Sequence, residues 1–243
     1  VNGFAIAVGL GAALGLYRVS RQQSGQWLDS ALFALACSLL GARLGYVGLN
    51  ANYFSSHPGE ILQIWLGGLN DAGALAGGVL GGFIAARIRR FPVGRLVDQL
   101  YSLLPPLAVG AWLGCWLSGT AYGLQLPAGS WWAVPAQDEG GLVTGRLPVQ
   151  MVAAIALLIF YWLLEQLTPM PRPAGWLFSL AASWLALVNL VASLLRADPA
   201  PRWGELRADS WLNLILVLLF FALFVWAQFQ ARRQTKGSES ITL

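Results

Sequence analysis

The sequence predicts an all-α, polytopic membrane protein with seven transmembrane helices, its N-terminus outside and its C-terminus cytoplasmic. Three observations carry this. Hydrophobic residues make up 57% of the chain and charged residues only 11%, so lipid rather than water is the solvent. Mean hydropathy is +0.61, and the apolar residues are gathered into seven segments. Arginine and lysine collect at alternate segment ends, which orients the chain.

The segments run in order over 2–17, 28–49, 71–86, 96–117, 149–167, 175–195 and 211–229. The first is short for a span and is expected to be completed by residues upstream of Val1. It lacks a basic start, so it reads as a retained span rather than a cleavable signal. The second is interrupted by Arg43. The third, GGLNDAGALAGGVLGG, repeats small residues, with Gly73, Gly77 and Gly81 on one face suited to close helix contact. Because lipid offers no hydrogen bonds, each spanning backbone must satisfy its own, which makes helices the expected form.

With the N-terminus outside, the cytoplasmic ends receive Arg18, Arg21, Arg87, Arg89, Arg90, Arg95, Arg172, Arg232, Arg233 and Lys236. The opposite side receives Arg146, Arg196, Arg202 and Arg207, the last three mixed with Asp198, Glu205 and Asp209. Residues 1–230 form one seven-helix domain with outer loops at 50–70 and 118–148, and 231–243 read as a polar cytoplasmic tail. In the first loop Pro58 is expected to start a short interfacial helix anchored by Trp65. In the second, Trp131 and Trp132 suit an interfacial cap, while Asp138 and Glu139 read as solvated.

Chemistry-bearing residues are sparse. His57 is the sole histidine and has no companions for a metal, so neither a metal nor a cofactor is expected. Cys37 and Cys115 lie in apolar segments and read as small buried hydrophobes. The net charge of +4 forms no basic stripe, so nucleic acid is not an expected partner. Asp71 reads as a cap for the third span, and Glu165 as a snorkelling residue. Arg43, with Tyr46 nearby, reads either as a structural or snorkelling residue or as a ligand for a lipid phosphate. Arg146 stands at the lip of the same outer region, beside Gln150. Gly114, Gly119 and Gly123, in GAWLGCWLSGTAYG at 110–123, would let a ligand approach the backbone. These seven residues, Arg43, Tyr46, Gly114, Gly119, Gly123, Arg146 and Gln150, are the candidate lipid-binding set.

GARLGYV at 41–47, PGEILQIWLGG at 58–68, ARIRRFPVGRLVD at 86–98, WWAVP at 131–135, GRLPVQ at 145–150 and PAGWLFSL at 173–180 follow one another in a specific order. In that order and spacing the chain resembles the bacterial prolipoprotein diacylglyceryl transferase family over almost its whole length. The resemblance implies a seven-span protein of the bacterial cytoplasmic (inner) membrane that moves diacylglyceryl from phosphatidylglycerol to the thiol of a lipobox cysteine. The family signature resembles G-R-x-G-N-F-x-N-G-E-x-x-G. Here Gly114, Gly119 and Gly123 match it, but Ala111, Trp112, Cys115, Ser118 and Thr120 replace its first glycine, arginine, two asparagines and glutamate. Ala72 and Leu147 stand where the family has histidines. Asn189 and Ser193 stand where it has an arginine and a glutamate.

Transfer to a thiol needs a proton acceptor and a stabilised phosphate leaving group, and these substitutions remove the family's groups for both. The expectation is therefore a noncatalytic, transferase-like membrane protein with no catalytic residues, binding an anionic phospholipid such as phosphatidylglycerol and serving as a lipid-binding or assembly subunit beside membrane-protein partners. The alternative is a transferase of diacylglyceryl or a related lipid moiety, acting on phosphatidylglycerol and a lipobox cysteine with a rearranged active site.

Overall fold

The computed structural model describes residues 3–22, 27–166 and 172–239, apart from the side chains of 66 and 232–239. Nine helices are found among the described residues: α1 (Gly3–Ser20), α2 (Leu28–Leu49), α3 (Ala51–Ser56), α4 (Asp71–Ile88), α5 (Val93–Leu100), α6 (Leu104–Ser118), α7 (Val149–Gln166), α8 (Trp176–Leu195) and α9 (Ala208–Glu239). Seven stretches are long and apolar enough to cross a membrane: α1, α2, α4, the α5 to α6 stretch Val93–Ser118, α7, α8 and the Ala208–Ala231 part of α9. The span at 93–118 changes pitch through a 3-10 turn at Tyr101–Leu103, and Pro105 and Pro106 enter the first turn of α6, where a missing N–H costs no helical bond. Backbone helix continues past the last apolar turn of α9 to Glu239, within the tail expected at 231–243; residues 240–243 lie outside the described part.

Large apolar side chains such as Leu10, Leu80, Ile159, Leu218 and Phe229 point outward from the spans, as lipid-facing residues do. The interior holds two apolar clusters. One joins α6, α7, α8 and α9 around Trp112, Leu157, Tyr161 and Leu185. The other closes the cytoplasmic ends of α1, α2, α4 and α5 around Val19, Ala31, Ala86 and Leu96. At that end Arg18 of α1 forms an ion pair with Glu165 of α7, so Glu165 has a partner instead of snorkelling alone.

Lipid tails do not drive helices together by hydrophobicity, so association depends on close contact. The small-residue face of α4 supplies it. A Cβ on Gly77 would collide with the Cys37 carbonyl of α2, and one on Gly41 would collide with the Gly73 carbonyl. α1 meets α6 in the same way, with Gly11 against the Pro106 carbonyl and Gly110 against that of Ala7.

The outer side carries two antiparallel hairpins, β1 (Val134–Gln137) with β2 (Val143–Arg146), and β3 (Arg202–Trp203) with β4 (Leu206–Arg207). Single bridges tie Gly123 to Arg196 and Gln125 to Arg146, so the stretch after α6 is stitched between the outer end of α8 and β2. The 50–70 loop departs from expectation. Its only α-helix is α3, and the helix expected from Pro58 is replaced by two 3-10 turns, Pro58–Glu60 and Ile64–Leu66. A continuous helix would spend its carbonyls on its own amides, whereas here several of them turn to Arg43.

Gly77→Leu forces α2 and α4 apart against backbone. It is expected to lower stability by about 1–3 kcal/mol, read as a drop in thermal midpoint in detergent; an unchanged midpoint would refute the contact.

Candidate functional site

The chain does not stay at the membrane surface between α3 and α4. The Asn70 amide donates to the Ala42 carbonyl at 2.9 Å, and Ala42 lies about 10 Å below the outer end of α2 at ~1.5 Å per residue. Irregular backbone at that depth must be satisfied by protein. Arg43 does this. Its Nε donates to the Ile61 carbonyl at 2.8 Å, Nη2 to that of Glu60 at 2.6 Å, and Nη1 to those of Gly67 and Gly68, the latter at 3.2 Å. The guanidinium is buried and lies over the rings of Phe54 and Tyr46 at 5.3 and 5.8 Å. Gly68, at φ +71°, sits directly against the Tyr46 ring.

This descent lets α4 begin below the surface. Asn70 caps it, its Oδ1 accepting from the Gly73 amide at 2.7 Å, so the cap is Asn70 and not Asp71. Asp71 is thereby released for another contact. Its Oδ2 accepts from Asn189 Nδ2 of α8 at 2.8 Å and from Asn213 Nδ2 of α9 at 3.0 Å. Asn189 Oδ1 in turn accepts from the Trp112 indole of α6 at 3.1 Å. Three spans therefore meet at one carboxylate and a fourth joins them through Asn189, within two turns of the outer ends of α6, α8 and α9. Asn213 and Trp112 are buried, while Asp71 itself is exposed. An accessible carboxylate held by two amide donors, with a thiol nearby, can accept a proton or hold a cation.

That thiol is Cys115. Thr120 engages it, and Arg196, Asp198 and Asp71 act on it electrostatically. Thr120 also meets Ser118 Oγ at 2.9 Å, and Gln150 Nε2 donates to the Thr120 carbonyl at 2.8 Å. Above them Arg196, Asp198, Arg207 and Asp209 form a closed network. Arg196 Nε reaches Asp198 Oδ1 at 2.8 Å, and Arg207 reaches Asp209 at 3.1 Å and Asp198 at 3.4 Å. Burial pushes the Asp198 carboxyl up, but the hydrogen bond and charge of Arg196, joined by Arg207, outweigh it and hold the carboxyl below its ordinary range. Arg146 is buried, pairs with Asp138 at 3.0 Å, lies 4.7 Å over the Tyr122 ring, and places Nη1 at 3.5 Å from the Gly123 carbonyl. Its Nε has no hydrogen-bond partner among the described residues.

The candidate residues thus fall into two groups. Gly119, Gly123, Arg146 and Gln150 gather around 119–124: Gly119 ends α6 at φ +68°, and Gly123 lies against the Leu147 carbonyl. Arg43 and Tyr46 lie instead with the 60–68 loop. Arg43 and Arg146 share no partner among the described residues. Gly114 faces Phe4 of α1 at contact distance. The ion pair of Asp138 with Arg146 replaces the solvated role expected for that acid. Asp71, Asn189 and Asn213 were missed as a set. The available signals were the polar Asn189 and Asn213 inside apolar spans and an acid one position before the substituted Ala72.

A family model described as prolipoprotein diacylglyceryl transferase matches residues 2–226. Relatives named phosphatidylglycerol–prolipoprotein diacylglyceryl transferase include those of Bacillus licheniformis, 28% identical over 98% of this chain and 93% of that protein, and Symbiobacterium thermophilum, 29% identical over 93% and 85%. The protein of Lactococcus lactis subsp. cremoris is 27% identical over 93% of this chain and 90% of its own length. With the seven spans, these matches make the chain a multi-pass protein of the bacterial cytoplasmic membrane. They also correct the expectation of a noncatalytic subunit, because the relatives matched along nearly the whole chain carry the name of a phospholipid-dependent enzyme. That expectation rested on side-chain types at matched positions.

Two outcomes test this geometry. Arg43→Lys leaves a single ammonium to serve carbonyls spread over the 60–68 segment, so a loss of about 1–3 kcal/mol is expected; equal thermal midpoints would refute the role. Asp198 has a depressed folded-state pKa, so its contribution is complete above the unfolded carboxylate value and is lost as pH falls through the lower, folded value. The gap in thermal midpoint between the wild type and Asp198→Asn should therefore hold constant from about pH 7 to 5 and close as pH drops below about 4. A gap unchanged at low pH would show that the carboxylate charge is not what the network uses.

Proposed function

The chain belongs to the prolipoprotein diacylglyceryl transferase family, and from that premise we propose that it transfers diacylglyceryl, or a closely related lipid moiety, from phosphatidylglycerol to the thiol of a lipobox cysteine through a rearranged site. The observation that carries this reading is the exposed Asp71 carboxylate, oriented by Asn189 and Asn213 beside the signature segment of α6. It supplies the proton acceptor that the substitutions at 72 and 120 remove.

The roles follow from the chemistry. The substrate thiol gives its proton to Asp71, and its sulfur attacks the glyceryl carbon that bears the phosphate. A C–S bond forms as the C–O bond breaks, and the bonding pair leaves on the glycerol phosphate. Two amides hold the exposed Asp71 carboxylate in one orientation, which favours proton transfer in one geometry. Arg146, paired with Asp138 and with its Nε unengaged among the described residues, is the cation we assign to the departing phosphate. Arg196 and Arg207 are committed to Asp198 and Asp209 and instead hold the outer ends of α8 and α9 in register. Gly119 leaves open space where α6 ends beside Cys115, while Gly123 lets the segment pack against the Leu147 carbonyl. Arg43 and Tyr46 contribute by supporting the descending loop that carries Asp71 to its depth.

The test is a transfer assay with purified protein, phosphatidylglycerol, a lipobox peptide and an active relative as control. Asp71→Asn is expected to lower turnover about 100-fold or more, the usual range for a general base, while Asp71→Glu keeps part of it. No product from folded, lipid-loaded wild type, with product from the control, would defeat the reading; full activity in Asp71→Asn would remove Asp71 from it.

A further inference from the structure

A cavity lies at the opposite, cytoplasmic end of the bundle. It measures about 940 Å³ and is lined by Arg95, Asp98 and Gln99 of α5, Arg172 of the segment before α8, and Trp226 and Gln230 of α9. Gly94 brings these elements together: a Cβ there would stand 2.9 Å from the Ala174 carbonyl carbon, so only a bare backbone lets α5 lie against the entry to α8. Arg95 and Arg172 consequently border one space.

The acid that borders this space is engaged by a helix terminus. Asp98 is the acid of the lining among the described residues, and both its oxygens are spent on backbone. Oδ2 accepts from the Gly175 amide at 2.6 Å and Oδ1 from that of Phe178 at 2.9 Å, closing the first turn of α8. It makes no ion pair with either arginine among the described residues. The Arg172 guanidinium lies over the Trp176 ring, its carbon 3.9 Å from the centroid, which holds the cation in place. Arg95 is exposed and has no ion pair among the described residues. Gln99 and Gln230 add amide donors that an anion can use. Trp27 and Trp226 flank the cavity at a height where aromatic rings mark the boundary between hydrocarbon and headgroups.

From this arrangement we infer that the cavity binds the phosphodiester headgroup of an anionic phospholipid from the cytoplasmic leaflet, held between Arg95 and Arg172. Two planar guanidinium groups suit the paired oxygens of a phosphodiester. The glycerol or other headgroup alcohol is then within reach of Gln99 and Gln230, and the acyl chains leave sideways past Trp226 into the bilayer. The site is separate from the outer-face chemistry and does not rest on the transfer reading. Its effect is mechanical: one lipid ties α5, the entry of α8 and the last apolar turns of α9 together where the spans otherwise end in mobile water.

The test uses the full chain in nanodiscs. Discs of dioleoyl phosphatidylcholine containing dioleoyl phosphatidylglycerol are compared with discs of phosphatidylcholine alone, with and without inorganic phosphate. Amide hydrogen exchange in 93–100 and 172–178 is expected to slow only where phosphatidylglycerol is present. Retention of that lipid in native mass spectrometry is expected to weaken about fivefold in each of Arg95→Gln and Arg172→Gln, with Arg95→Lys recovering the part owed to charge alone. Arg21→Gln, an exposed cytoplasmic arginine outside the cavity, is expected to leave retention unchanged. Protection by inorganic phosphate alone, protection equal in both lipid mixtures, retention unaltered in both glutamine variants, or an equal loss in Arg21→Gln would each overturn the inference. Circular dichroism confirms the fold of every variant, and Arg95→Lys keeps the test decisive if a glutamine variant fails to fold.

Discussion

An unpaired carbonyl in hydrocarbon costs several kcal/mol, and the segment from Glu60 to Gly68 turns four of them toward a single side chain. Arg43 answers all four with five donors in a rigid fork, and the rings of Phe54 and Tyr46 cover its faces. The guanidinium is costly to bury, and so is the loop; each removes the other's penalty. Without this exchange the backbone before α4 would have to stay at the surface. Asn70 could then not reach Ala42, and α4 would begin higher than it does.

The depth of that start decides what the outer half of the bundle contains. Because Asn70 supplies the cap, Asp71 is free to accept from α8 and α9, and Asn189 passes the connection on to Trp112 of α6. Close packing makes the arrangement possible on the other side of α4, where glycines face the backbone of α2. One face of α4 is therefore bare for contact, and its first residue is a carboxylate aimed away from that contact. The outer arginine and aspartate network above, with the bridges through Gly123 and Gln125, holds the ends of the same helices in place.

The two ends of the protein manage charge differently. Outside, Arg196 and Arg207 are matched by two aspartates, and Asp138 accompanies Arg146. At the cytoplasmic end the Asp98 carboxylate is spent on a helix terminus, and Arg95 and Arg172 line the cavity beside it. An excess of cations on that side is the general pattern that orients membrane proteins, since the cytoplasmic leaflet attracts them. Here the excess is also gathered around a defined volume.

The spans, their number and their direction were legible from the sequence alone, because a bilayer requires each segment to satisfy its own backbone and sets its length. The order of short motifs placed the chain in its family for the same reason that order survives when single side chains do not. Tertiary structure alone decided the polar constellation. Asp71 meets Asn189 across 118 positions of chain and Asn213 across 142, and no local pattern encodes which helix faces meet. It also decided that Arg43 supports a descending loop and that a helix after Pro58 gives way to two short turns. Both follow from one fact that no linear reading contains: how far below the membrane surface the backbone travels before α4 begins.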